Sequence, residues 1–99
     1  MRTPKLTEDE IQQHLPRLPE WTREGDAIVR QYEFKDFVHA VQFVNQVAQQ
    51  AEAANHHPDI DIRYNKVRLL LTTHDSGGLT HNDVELAAAA DDLADAVAA

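Results

Sequence analysis

Ninety-nine residues, 42% of them hydrophobic, suffice for one domain around one core, expected to span residues 1–99, and a core this small gains from oligomerisation. The chain has no cysteine, which excludes disulfides, thiolate metal sites and a cysteine nucleophile. Its formal net charge of −8, from 17 acidic against 9 scattered basic residues, suits solubility rather than a phosphate backbone, so no direct nucleic-acid partner is expected. Met1-Arg2-Thr3-Pro4-Lys5 leads into charged residues with no apolar signal region, and no apolar run approaches membrane-spanning length. A cytoplasmic protein without a membrane partner is the expectation.

Thr7 before Glu8-Asp9-Glu10 reads as a helix N-cap followed by an acidic first turn, with Ile11, Leu15 and Leu18 at helical spacing until Pro19. Trp21-Thr22-Arg23, the Glu24-Gly25-Asp26 turn and the alternating run Ala27 to Phe34 read as a β-hairpin, with Ile28, Arg30, Tyr32 and Phe34 on one face. Asp36 can cap a longer helix whose apolar stripe is Phe37, Val41, Val44, Ala48 and Ala51, widened by Ala40, Phe43 and Val47. That helix should end near Asn55, a residue tolerant of the left-handed conformation.

Ile60, Ile62 and Tyr64 alternate with Asp59, Asp61 and Arg63 as a strand, which Asn65-Lys66 turns back into Val67 to Thr73. After Gly77-Gly78, Thr80 and Asp83 form an Asp variant of the capping box, opening a helix that carries Val84, Leu86, Ala87, Ala90, Leu93 and Val97. The order α-β-β-α-β-β-α implies an α+β fold, a four-stranded antiparallel sheet with three helices packed on one face. The Ala87-Ala88-Ala89-Ala90 segment, apolar on several sides, suggests a self-association surface.

Titratable groups gather where the chain changes direction: Glu52, His56 and His57 before Pro58, His74 after Thr72-Thr73, and Asp83 after Gly77-Gly78. Pro58 pushes His57 into extended backbone, so extended neighbours His56 and His57 point to opposite sides and take different roles. Glu52, four residues before His56, would stand beside that imidazole in a helix, orienting it and favouring its protonated form. His56 is therefore the better acid/base candidate of the two. Asp83 is first an N-terminal helix charge and also a group able to orient an imidazole, whereas Trp21 reads as core or interface packing before a stacking platform. His14, His39 and His81 read as solvent-exposed helix residues. Three histidines and a carboxylate could satisfy zinc, but the divergence of the adjacent pair and the absence of a His-Glu-x-x-His spacing argue against a metal.

Glu52-x-x-x-His56-His57-Pro58, Tyr64-Asn65-Lys66-Val67, Thr73-His74 and Gly78-Leu79-Thr80-x-x-Asp83 together resemble the pterin-4a-carbinolamine dehydratase family, from about Leu6 to the last helix. The resemblance implies dehydration of a 4a-hydroxytetrahydropterin to the quinonoid dihydropterin, the step that regenerates tetrahydrobiopterin for aromatic amino acid hydroxylases, with no metal or redox cofactor. It implies His56 and His74 as the acid/base pair and His57, with Pro58, as substrate-holding. It also implies pterin contacts from Thr73, Asp75 and Ser76, support from Glu52, Asp83 and Trp21, and a homodimer or homotetramer. A functional link to an aromatic amino acid hydroxylase follows from the same resemblance. Some relatives of this fold lack the histidines and serve as assembly factors, and the animal protein binds a homeodomain transcription factor, so a non-catalytic assembly or regulatory protein is the alternative. Retention of all three histidines favours the enzyme.

Overall fold

A computed structural model describes residues 3–98. The elements run α1 (Glu8–His14), a 3-10 turn (Leu15–Arg17), β1 (Thr22–Glu24), β2 (Ala27–Glu33), α2 (Phe37–Ala54), β3 (Asp59–Arg63), β4 (Lys66–Leu71), a second 3-10 turn (His74–Ser76) and α3 (His81–Ala98). The four strands form one antiparallel sheet in the order β1-β2-β4-β3, the expected α+β architecture. Thr7 caps α1 as expected, and the cap is a full capping box: Thr7 Oγ1 accepts the Glu10 N–H, and the Glu10 carboxylate accepts the Thr7 N–H. The α-helix stops at His14 instead of running towards Leu18, because Pro16 cannot supply the next backbone donor and the chain tightens into a 3-10 turn.

One core lies between sheet and helices. Ile28, Tyr32 and Phe34 from the second-strand region and Val67, Leu69 and Leu71 of β4 face Ala40, Phe43, Val47 and Ala51 of α2 and Leu86, Ala87, Ala90 and Ala94 of α3. The buried stripe of α2 is thus centred on the four residues at 40, 43, 47 and 51. Phe37, expected within it, is 51% exposed, since it occupies the first position of the helix, beyond the reach of the sheet. Ala87 and Ala90 are fully buried within the chain's own core, so they are not available as the self-association surface that their composition suggested. Their small side chains instead let α3 approach α2 closely.

Two strand ends differ from expectation. Arg63 pairs with Lys66, so the hairpin turns on Tyr64-Asn65 rather than Asn65-Lys66, and Tyr64 takes φ 54° with its ring in solvent. The Asn65 side chain donates to the Phe34 carbonyl at 2.8 Å while its own carbonyl accepts the Phe34 N–H at 2.9 Å, which fixes the turn to the end of β2. β4 ends at Leu71 rather than Thr73, because Thr73 leaves the ladder to pair across a short loop with Gly78. Every residue of β3 is exposed, Ile60 and Ile62 included, so this edge strand has one paired side and no helix over it.

A carboxylate on α3 fastens the helix to the sheet. Asp91 Oδ1 accepts from Trp21 Nε1 at 3.0 Å, Arg30 at 2.7 Å and the Tyr32 hydroxyl at 2.5 Å. Burial pushes the Tyr32 hydroxyl pKa far up, and the Asp91 hydrogen bond adds to the shift, so the phenol remains a donor. Arg30 also lies over the Tyr32 ring, 4.2 Å from its centroid.

Candidate active site

Helix α2 ends as its sequence suggested: Asn55 adopts the left-handed conformation (φ 50°, ψ 43°), and the N–H groups of Asn55 and His56 turn back on the Ala51 and Glu52 carbonyls. That reversal breaks the helical alignment of Glu52 with His56. The Glu52 carboxylate bonds to His57 Nε2 in solvent instead, a correction to the expected Glu52–His56 pair. His56 turns inward, is only 9% exposed, and places Nε2 2.5 Å from Asp83 Oδ1. The adjacent imidazoles therefore have separate carboxylate partners on opposite sides of the chain.

Asp83 is fully buried, and its placement follows from the cap of α3. Its Oδ2 accepts the Thr80 N–H at 2.9 Å, the back-bond of the capping-box variant, and Thr80 Oγ1 accepts the Asn82 N–H at 3.2 Å. Thr73 Oγ1 donates to the same Oδ2 at 2.8 Å and lies 2.9 Å from Thr80 Oγ1. The carboxylate thus receives three donors, which offsets the cost of burying its charge. With Nε2 donating to Asp83, His56 in its neutral form keeps Nδ1 as a free acceptor, the state required of a general base.

His56 opens onto a pocket of about 510 Å³ lined also by Thr3, Ala54, Asn55, Thr73, Asp75, Ser76 and Asn82. Its wall is polar, and the turn that carries Asp75 and Ser76 ends at Gly77, whose φ of 77° is the left-handed conformation glycine adopts without strain. The sequence pointed to His56, Thr73, Asp75 and Ser76, and all four line this space. Thr3 and Asn82 carried no local signal. Ser76 Oγ donates to the Thr3 carbonyl and Asn82 Nδ2 donates to Thr3 Oγ1 at 3.0 Å, so the amino-terminal segment is strapped along one wall.

His74 lies elsewhere. It is exposed and lines a neighbouring recess of about 270 Å³ with Asp26, Ala27, Thr72, Gly77 and Gly78. The 74–76 turn stands between the two spaces. Exposed His57 and half-buried Pro58 flank His56 without lining the larger pocket, and Trp21 is buried against Asp91, remote from this network. Of the other histidines, His81 is exposed, while His14 and His39 are half-buried: His14 meets His81 edge-on at 5.1 Å, and His39 Nδ1 is 2.6 Å from Asp36. Among the described residues, no three His, Asp or Glu side chains gather as a metal site, and no helix is long and apolar enough to cross a membrane.

Comparison with known proteins points in one direction. The sequence pattern of the family described as Pterin 4 alpha carbinolamine dehydratase matches residues 4–93. A protein of Picosynechococcus sp., provisionally named pterin-4-alpha-carbinolamine dehydratase, is 52% identical over 89 residues, 90% of this chain and 97% of the relative. A Chloroflexus aurantiacus protein with the same provisional name is 56% identical over 90 residues, 91% of this chain and 97% of the relative. The fold is similar to a solved structure described as a transcriptional coactivator/pterin dehydratase from Brucella melitensis, with TM-score 0.88 and 37% identity over 91% of this chain and 98% of that one. A pterin dehydratase-like protein identified as a RuBisCO assembly factor in the alpha-carboxysome has TM-score 0.62 at 20% identity, over 75% of this chain and 86% of that one, and shares the fold alone.

Proposed function

The chain belongs to the pterin 4 alpha carbinolamine dehydratase family, and from that membership we propose that it removes water from a 4a-hydroxytetrahydropterin by histidine acid/base catalysis, giving the quinonoid dihydropterin. The family and the names of its relatives support a dehydratase acting on a pterin carbinolamine. The observation that carries the mechanistic reading is His56, held through Nε2 by buried Asp83 at the wall of a polar pocket.

The reaction breaks the C4a–O bond and forms a C=N bond as a ring nitrogen gives up its proton. One proton goes to the departing hydroxyl and one leaves the nitrogen, so the proton balance is neutral. An imidazole with a free nitrogen can serve either transfer near neutral pH, and each such transfer supplies roughly 10²- to 10⁴-fold. In this reading His56 handles one transfer and His74 the other, with the substrate reaching across the 74–76 turn between their recesses. Asp75 and Ser76 contact the pterin, and His57, steadied by Glu52, holds its outer edge beside Pro58. Asp83 supports His56, and Trp21 supports the fold.

Tetrahydrobiopterin recycling beside an aromatic amino acid hydroxylase is the proposed setting, and residues 1–99 are proposed to act as one domain. A homo-oligomer is proposed through the exposed edge of β3 rather than through the alanines of α3, since Ile60, Ile62 and Tyr64 are apolar groups left in solvent there.

The test is turnover of a freshly generated 4a-hydroxytetrahydropterin, followed as quinonoid dihydropterin appears. A rate above the spontaneous one, proportional to protein and unchanged by exhaustive chelation, is expected. No acceleration at micromolar protein would defeat the assignment; activity lost on removal of zinc and recovered on its return would replace the mechanism with a metal-dependent one.

A further inference from the structure

A carboxylate accepts hydrogen bonds and cannot donate them, and this fixes the direction of each bond around Asp83. The single proton of the Thr73 hydroxyl points to Asp83 Oδ2, 2.8 Å away, so the other contact of that hydroxyl, Thr80 Oγ1 at 2.9 Å, must donate to it. Thr80 Oγ1 accepts in turn from the Asn82 N–H. The chain of donors runs one way, from Asn82 through Thr80 and Thr73 to Asp83, with His56 on the opposite oxygen of the carboxylate. Thr73 lines the pocket, yet its proton is already committed and it has none to donate to a substrate.

We propose that Thr73 is a positioning residue that acts through Asp83 to hold the His56 proton on Nε2 and keep Nδ1 free, instead of a group that binds substrate by donation. The proposal rests on the dehydratase reading of this pocket and assigns Thr73 a different part in it. Valine at position 73 would keep the shape and remove the hydroxyl. Oδ2 would then lose one of its two donors, and its charge would fall more heavily on the bond to His56. Among the described residues, the other charged groups near His56 are Asp75, from the 74–76 turn, which shares its pocket, and Glu52 of α2, which is engaged by His57.

The experiment compares wild type, Thr73→Val and Thr73→Ser by turnover kinetics and by ¹⁵N NMR of the His56 ring. Thr73→Val is expected to lower kcat about tenfold while KM changes less than about twofold. The ¹⁵N resonance of His56 Nε2 should move from its wild-type position as the Asp83 bond tightens, and Thr73→Ser should restore both readouts. A raised KM with kcat retained would make Thr73 a substrate contact, and an unmoved His56 Nε2 resonance in folded Thr73→Val would equally overturn the proposal. Should Thr73→Val fail to fold, the wild-type spectrum decides: neutral His56 must carry its proton on Nε2, and a proton on Nδ1 refutes the chain of donors. The NMR arm needs no turnover, so an inactive protein with the expected His56 spectrum would defeat the dehydratase reading and leave the Asp83 network standing.

Discussion

His56 and Asp83, 27 residues apart in sequence, meet through a 2.5 Å contact between Nε2 and Oδ1, and this pair joins the end of α2 to the start of α3. Asp83 is at once the capping residue of α3, the acceptor for Thr73 and the partner of His56. Truncating it strands three donors in a buried space. Asp83→Ala should therefore cost more than about 3 kcal/mol of stability, measured by urea unfolding. Asp83→Asn, which keeps shape and loses charge, should cost less and slow turnover in the fraction that folds. A loss below about 1 kcal/mol for Asp83→Ala would show that the carboxylate is not the hub described here.

The second carboxylate hub makes a prediction about stability alone. Asp91 serves Trp21, Arg30 and Tyr32 from a half-buried position, and Asp91→Ala should lower stability by about 1–3 kcal/mol. Turnover per folded molecule should be retained, because this cluster shares no residue with the pocket around His56. Equal melting temperatures for wild type and variant would contradict the assignment.

Acid should weaken the helix starts. The His39 backbone N–H, then the His39 side chain, hold the Asp36 carboxyl below its ordinary pKa of 3.8, and the Thr7 backbone N–H, then its hydroxyl, hold Glu10 below 4.5. Because the folded-state values are the lower ones, the folded state binds fewer protons at these groups. Their stabilisation is complete above the ordinary values and is lost as pH falls through the depressed ones. Thermal melts from about pH 6 to about pH 2 should show wild type losing more stability than an Asp36→Asn, Glu10→Gln double variant. Parallel curves for the two proteins would contradict this.

Self-association through β3 is checked by light scattering, with a mass above the 11.2 kDa of one chain expected. Ile62→Lys places a charge on the exposed edge and should shift the mass towards the monomer while leaving the core untouched. An assembly unaffected by that change, or a clean monomer at micromolar wild type, would rule out this edge as the interface.

Elements with local signals were legible in the sequence: Thr7 and Asp36 cap helices, Asn55 ends one in the left-handed conformation, and Thr80 with Asp83 opens the last. The pairing of histidines with carboxylates was legible only in part: Asp83 read as a group able to orient an imidazole, without showing that the imidazole is His56. A four-residue spacing suggested Glu52 beside His56, but it presumes an unbroken helix, and the same Asn55 that was correctly read as a terminus removes that geometry. The Asp91 cluster escaped notice because its partners lie about 60 to 70 residues away. Its one trace is an acidic side chain beside the buried Ala87, Ala90 and Ala94 stripe, where a charge needs partners. The separation of His74 from His56 depends on the 74–76 turn, whose path no spacing rule specifies.

The central claim is that His56, held by Asp83, transfers a proton during dehydration. Its most direct test is the rate of quinonoid dihydropterin formation from the same 4a-hydroxytetrahydropterin by wild type and His56→Ala, with folding of both verified by circular dichroism. The account predicts a fall of at least about tenfold in kcat for the variant; wild-type turnover by folded His56→Ala would contradict it.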